Sequence, residues 1–238
     1  MNNKAGLSTR KMAQKRRRTI NLILLGVLII GIVLALIIDN WKTLGLGGGT
    51  VLGLFLLLRL LPDLIDKPIK RRQKAKRRAD RGAKAEEILG DLLSNLNKDF
   101  LVLHDVSSPY GNIDHIVIGK NNGVFLLETK AHGGRVEVLP NRLLVNGKPP
   151  EKDFIKQTLR NTYWLRDEIE KVTGKKVWIN AVIVFTNAFV PFEKPIKGIQ
   201  VVNKKFLINL IEQRTKPSAD SSMIWEARFQ IAQQLSKL

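Results

Sequence analysis

The chain has 238 residues, no cysteine, and a formal charge of +19 from 40 Lys and Arg against 21 Asp and Glu. That length allows one domain of ordinary size plus extra segments, and the missing cysteines exclude a disulfide framework and any thiolate metal site. So basic a chain invites a nucleic-acid reading, yet the basic residues gather in two clusters before Lys84 and only +4 remains for residues 85–238.

Residues 1–19 form a polar, basic tail with Lys4, Arg10, Lys11, Lys15, Arg16, Arg17 and Arg18 and no acid. Ile20 to Ile38 is then an unbroken uncharged run, which as a helix reaches about 28 Å, close to the thickness of a bilayer's hydrocarbon core. It is longer than the apolar core of a signal peptide, and no small-x-small cleavage site follows it. A short polar link, Asp39 to Thr43, leads to a second apolar run from Leu44 to Leu61. Only Arg59 interrupts that run, and near the end of a span an arginine reaches the headgroups. The two runs predict a two-helix transmembrane hairpin within residues 20–65, with Trp41 at the interface.

Orientation follows from the lysines and arginines. Seven precede the first run and ten lie between Lys67 and Lys84. The positive-inside rule then makes the chain a two-span membrane protein with both termini cytoplasmic. Its basic flanks suit anionic lipids, which removes most of the net charge as an argument for nucleic acid. Gly45, Gly49 and Gly53 share one helical face. That face reads first as packing between the spans and second as a homodimer interface.

Residues 66–81 read as a basic juxtamembrane helix or linker continuing into AKAEEILGDLLSNL, where Ile88, Leu89, Leu92, Leu93 and Leu96 recur at helical spacing. Phe100 to His104 is a strand. Two more strands lie in GNIDHIVIGKNNGVFLLETK, residues 111–130, and each carries one carboxylate, Asp114 and Glu128, where burial is costly without a cation or hydrogen bonds. If Lys120, Asn121 and Asn122 form a three-residue hairpin loop, Gly119 faces Gly123, Asp114 faces Glu128, and Lys130 shares their face. A two-residue loop at Asn121 and Asn122 would instead turn Glu128 to the other face.

Opposed carboxylates about 5 Å apart repel each other, and a hard divalent cation relieves them, Mg²⁺ first with Mn²⁺ as a substitute. With a lysine beside the metal to manage a water, this is a plan for phosphodiester hydrolysis. His104 and His115 read as strand residues, each with a local hydrogen bond, rather than as ligands.

Gly133 and Gly134 read as a turn, Arg135 to Leu139 and Arg142 to Val145 as short strands, and Asn146 with Gly147 as a further turn. A helix runs from Asp153 to Gly174. On it, Lys156, Gln157, Arg160 and Arg166 read first as a solvated face, with the cations as phosphate contacts in second place. A buried strand follows at Val177 to Phe185, a short one near Ile199 to Val202, a helix from Lys204, and a last helix from Ser222 to Leu238. Kinase, hydrolase-triad and zincin chemistry find no motif here. The mixture of strands and helices makes an α/β domain with a mixed sheet flanked by helices.

Asp114 followed by Glu128, Thr129 and Lys130 resembles the PD-(D/E)xK nuclease pattern, and the flanks resemble its nuclease-related domain, or NERD, branch. In that family a glycine and a glutamate open a helix, here Gly82 and Glu86, ahead of an Ile-Asp pair, here Ile113 and Asp114. After the E-x-K strand come a glycine, Gly133 or Gly134, and a helical glutamine, Gln157. The resemblance covers residues 82–213 and leaves 214–238 as a C-terminal helical extension. It departs from the pattern where no Asn-Pro precedes Gln157 and where His132 replaces a small polar residue.

The resemblance implies a restriction-endonuclease-like fold, here preceded by the transmembrane hairpin, and a metal-dependent nuclease whose partner is nucleic acid, in first place DNA. Asp114, Glu128 and the backbone carbonyl of Thr129 would be the metal ligands. Lys130 would manage the water, with Glu86 and Gln157 in support. Two other readings stand beside it: a non-catalytic membrane-tethered module of the same fold that binds nucleic acid or protein, and a structural ion pair in which Lys130 only neutralises the carboxylates.

Overall fold

In the computed structural model, residues 48–191, 193–213 and 219–237 are described, with positions 22, 25, 26, 29 and 36 before them. Side chains of the first helix are described from Ile69 onward. Three antiparallel strands come first in the sheet: β1 (Phe100–Val106), β2 (Ile113–Gly119) and β3 (Gly123–Val138). Gly119 pairs with Gly123 and His115 with Leu127, so Lys120, Asn121 and Asn122 do form the three-residue loop. Asn122 is held by its side chain, which donates to the Ile211 carbonyl at 3.0 Å.

Beyond Lys130 the expected turn is absent. β3 runs on through Gly133 and Gly134 with a register shift between Lys130 and Gly133, then pairs with β4 (Leu143–Val145). The reason lies in Asn146, whose side chain accepts the Arg135 N–H at 2.9 Å and donates to the Gly133 carbonyl at 3.1 Å. It takes up the backbone groups a bulge would orphan. Gly134, at φ 91°, leaves the space that Asn146 fills, and a side chain there would collide with it.

Helix α2 (Phe154–Thr173) has the ends its sequence predicts: the Asp153 side chain accepts the Lys156 N–H, and Gly174 closes it at φ 71°. It carries the chain across to β5 (Ile179–Phe189), which lies parallel to β3, and β6 (Gln200–Asn203) adds a parallel edge. The sheet order is β1-β2-β3-β5-β6 with β4 paired to β3. This is the mixed sheet flanked by helices that the sequence predicts.

Alternation divides the core between the two faces. One face buries Ile116, Ile118, Val124 and Leu126 with Leu165 and Ile169 of α2. The other buries Val117, Phe125, Leu127 and Val182 with Leu89 and Leu93 of α1 (Gly48–Leu93) and with Leu207 and Ile211 of α3 (Leu207–Glu212). The helix expected from Lys204 begins as a 3₁₀ turn, Lys204–Phe206. The single last helix is two, α4 (Ala219–Glu226) and α5 (Arg228–Ser236), parted at Ala227, where the Arg228 guanidinium donates to the Trp225 carbonyl at 2.6 Å. Ile224, Ile231 and Leu235 of this pair complete the first face.

The chain divides after Asp80 into two units, the second of which comprises residues 81–238. In the other unit the transmembrane hairpin finds no support: among the described residues no helix is long and apolar enough to cross a membrane. The run 20–38 lies outside the described residues except at the five positions named above, and of the run 44–61 only the backbone from Gly48 is described.

His104 and His115 face each other across β1 and β2, their Nδ1 atoms 2.8 Å apart. One ring must donate and the other accept, so the pair is stable only while at least one is neutral. Burial, and then the His104 charge, lower His115 to about 3, and burial lowers His104 in the same direction. A depressed folded value means that the unfolded chain takes up protons first. The pair's stabilisation is therefore present above the ordinary histidine range and is lost as pH falls from about 6.5 toward 3, by up to about 1.4 kcal/mol per pH unit for each proton. Urea midpoints measured from pH 7 to pH 4 should fall steeply in the wild type and less steeply in His115→Phe. Equal slopes would remove the pair from the account.

Candidate functional site

The β2–β3 ladder ends at His115 and Leu127. One residue further, Asp114 and Glu128 come next in the same register, and on β3 Lys130 follows on the same face. The Thr129 N–H donates not to a β2 carbonyl but to Asp114 Oδ2, at 2.6 Å. A strand residue turns its N–H and C=O toward the same neighbour, so the Thr129 carbonyl also points to the β2 side. On the other edge Thr129 and Lys130 pair with Val184 and Phe185 of β5, which fixes β3 at this point.

Glu128 and Lys130 are both buried, and their side chains meet at 2.5 Å between Oε1 and Nζ. The Phe154 ring, at the start of α2, stands 4.5 Å from the Lys130 ammonium. His132 and Phe185 pack around that ring. In the sequence Phe154 is one apolar residue of the helix that starts at Asp153. Its place over Lys130 comes from helix–sheet packing, which hydrophobic spacing does not encode.

Electrostatics distinguish this cluster from an ordinary ion pair. Burial pushes the Asp114 carboxyl well above the usual range, and Glu128 and then Glu86 push it further. Lys130 and the Thr129 N–H pull the other way and do not win. Three carboxylates thus act against one ammonium, and Glu86 reaches the group from α1. Glu128 Oε2 is buried without a hydrogen-bond partner among the described residues, as is Thr129 Oγ1.

These features fit a cation. An orphaned buried carboxylate oxygen, a carboxyl driven toward protonation by its neighbours and a carbonyl on the same edge make an oxygen donor set of the kind Mg²⁺ takes. No three His, Cys, Asp or Glu side chains among the described residues form a metal cage by themselves. The set is two carboxylates and a backbone group.

The structure brings Glu86, Asp114, Glu128, Thr129 and Lys130 together. Gln157 lies on α2 one turn beyond Phe154, half-buried, with its backbone N–H on the Asp153 carbonyl. It is on the right helix, but no contact joins its side chain to the carboxylates.

The raised Asp114 has a consequence for stability. Folding takes up a proton there, so its contribution is present below the ordinary carboxylate range and is lost as pH rises through the folded value. Asp114→Asn keeps an acceptor for the Thr129 N–H and removes the charge. It should raise unfolding stability at pH 7.5 by about 1 kcal/mol, the usual scale for relieving a strained functional position, and flatten its decline with pH. A less stable variant in urea titrations would mean that the charge is satisfied in the wild type.

No curated protein and no solved structure matches the chain. A family comparison does find a match, and it spans Glu86, the two-carboxylate hairpin and most of β5. Residues 81–186 are similar to the NERD family, described as the nuclease-related domain, which indicates a nuclease-related function for this segment and is consistent with binding nucleic acid.

Proposed function

We propose that the domain is a metal-dependent nuclease that hydrolyses phosphodiester bonds in DNA at the Asp114–Glu128–Lys130 cluster. The observation that carries this is the excess of carboxylate around Asp114, where Glu128 and Glu86 outweigh Lys130. Asp114, Glu128 and the Thr129 carbonyl would hold Mg²⁺, or Mn²⁺ in its place. When bound, the cation would supply the positive charge that a phosphate accumulates negative charge against. Lys130 Nζ would leave Glu128 Oε1 and hydrogen-bond the attacking water. As the water oxygen bonds to phosphorus and the leaving-group P–O bond breaks, the water's proton ends on the leaving oxygen. Glu86 would tune Asp114 by its charge, and Gln157 would support from α2. Phe154 would keep bulk water from the ammonium.

One observation favours the second reading, a non-catalytic module of the same fold. The short Lys130–Glu128 pair already neutralises one carboxylate. In this reading the cluster is structural and the domain only binds nucleic acid or protein.

We further place the domain at the cytoplasmic face of a bilayer, held by two spans at 20–38 and 44–61. Support comes from the apolar runs and their basic flanks, and from Leu22, Leu25, Ile29 and Leu36, all more than half exposed.

Asp114→Ala, Glu128→Ala and Lys130→Ala should each cut Mg²⁺-dependent cleavage by about a hundredfold or more, the scale of losing a group that acts on developing charge. Glu86→Ala and Gln157→Ala should cost less. Ca²⁺ should replace Mg²⁺ poorly, being larger and less demanding in geometry. Circular dichroism controls for unfolding. Wild-type protein that binds Mg²⁺ or Mn²⁺ yet cleaves no DNA or RNA would move the assignment to the second reading. For the anchor, cysteines at Ser8 and Ser222 should both escape an impermeant thiol reagent in intact cells, and labelling of either from outside would reverse the orientation.

A further inference from the structure

Beside the cluster, and separated from it by Phe154, a groove runs along α2. Its first part, about 510 Å³, is lined by Arg142, Lys156, Arg160 and Lys197. Its second, about 460 Å³, adds Arg166, Lys176 and Trp178. The two parts share Leu159, Tyr163 and Lys197, so they form one continuous path. Six cations line the path with two acids, Asp153 and Asp220; the Asp153 carboxylate is already occupied in capping α2, while Arg166 lies 3.7 Å from Asp167 and Lys176 4.0 Å from Glu170. Arg142, Lys156, Arg160 and Lys197 make no ion pair among the described residues.

Two aromatic side chains stand in this path where a core would not place them. Trp178 is 71 % exposed, yet its indole N–H is tied to Asn180 Oδ1 at 3.1 Å, which holds the ring in one orientation. Tyr163 is half exposed, with the Arg166 guanidinium 5.2 Å over its ring. Lys197 sits at the junction at φ 50°, in a tight turn closed by Ile196 and Ile199. That conformation favours glycine or asparagine, so a lysine there is held against its backbone preference. Strain kept at one position points to a role for the side chain.

We propose that this groove binds single-stranded nucleic acid, with phosphates on the line Lys156, Arg160, Lys197 and unpaired bases stacked on Tyr163 and Trp178, and that it leads the strand to the Asp114 cluster. Exposed rigid rings interleaved with unpaired cations are the means by which a protein holds a strand whose bases are free. A duplex keeps its bases stacked on each other and offers the rings nothing. The inference rests on the nuclease reading only for the strand's destination.

The test uses the full chain, in EDTA, with a fluorescein-labelled oligothymidylate of about 16 nucleotides, the matching oligouridylate, and a duplex of equal length. The ten basic residues between Lys67 and Lys84 bind any polyanion, so variants carry the result. Tyr163→Ala and Trp178→Ala should each weaken single-strand binding roughly five- to a hundredfold and leave duplex binding nearly unchanged. Lys197→Gly relaxes its backbone and should lower the salt dependence of log K by about 0.7. Lys120→Ala, on the opposite hairpin, should do nothing. The ratio of the thymidylate and uridylate affinities assigns the sugar. If both ring variants bind the single strand as the wild type does, the groove proposal falls whatever the protein cleaves. If the rings matter but wild type with Mg²⁺ leaves the bound strand intact, the groove stands and the nuclease reading falls.

Discussion

Asp114 takes the Thr129 N–H at 2.6 Å where the β2–β3 ladder ends, so a side chain does there what a backbone carbonyl does along the rest of the strand. On their far sides both strands stay paired, β2 with β1 and β3 with β5. Asp114, the Thr129 carbonyl and Glu128 lie where the ladder stops. Loss of regular pairing at this point is what the candidate site is built on.

Such a break in the ladder needs strong support. Ile116, Ile118, Val117, Phe125, Leu126 and Leu127 flank it in sequence and are fully buried on the two faces. Each such side chain stabilises the fold by roughly 1.5–3 kcal/mol, enough to hold a carboxyl that its surroundings drive toward protonation. The histidine pair and the carboxylate cluster lie on the same strand, one residue apart at His115 and Asp114, and resist opposite changes of pH. Acid charges the histidines, whereas base charges Asp114 against its neighbours. The contribution of these groups to stability thus falls toward acid at the histidines and toward base at Asp114.

Helix α2 serves the cluster and the groove at once. Its buried face joins the core at Leu165 and Ile169, its first residue covers Lys130, and its outer face carries Lys156, Arg160 and Tyr163 into the groove. Phe154 is the shared wall. The capping by Asp153 that starts the helix there therefore positions both surfaces.

Local periodicity carried much of this architecture. The odd loop at Lys120–Asn122 fixed the register of Asp114 and Glu128, since strand faces alternate with period two and a loop's parity decides which side chains meet. The caps Asp153 and Gly174 marked α2 for the same kind of reason, being contacts within a few residues. What the sequence alone could not decide depends on groups distant along the chain. Gly133 and Gly134 read as a turn because the Asn146 side chain that holds an extended strand there lies twelve and thirteen residues away. Phe154 over Lys130, Glu86 acting on Asp114, and the joining of Tyr163, Trp178 and Lys197 into one path each require packed helices and sheet. Spacing along a chain encodes which face a side chain takes on its own element, while its neighbours on other elements are set only when those faces pack.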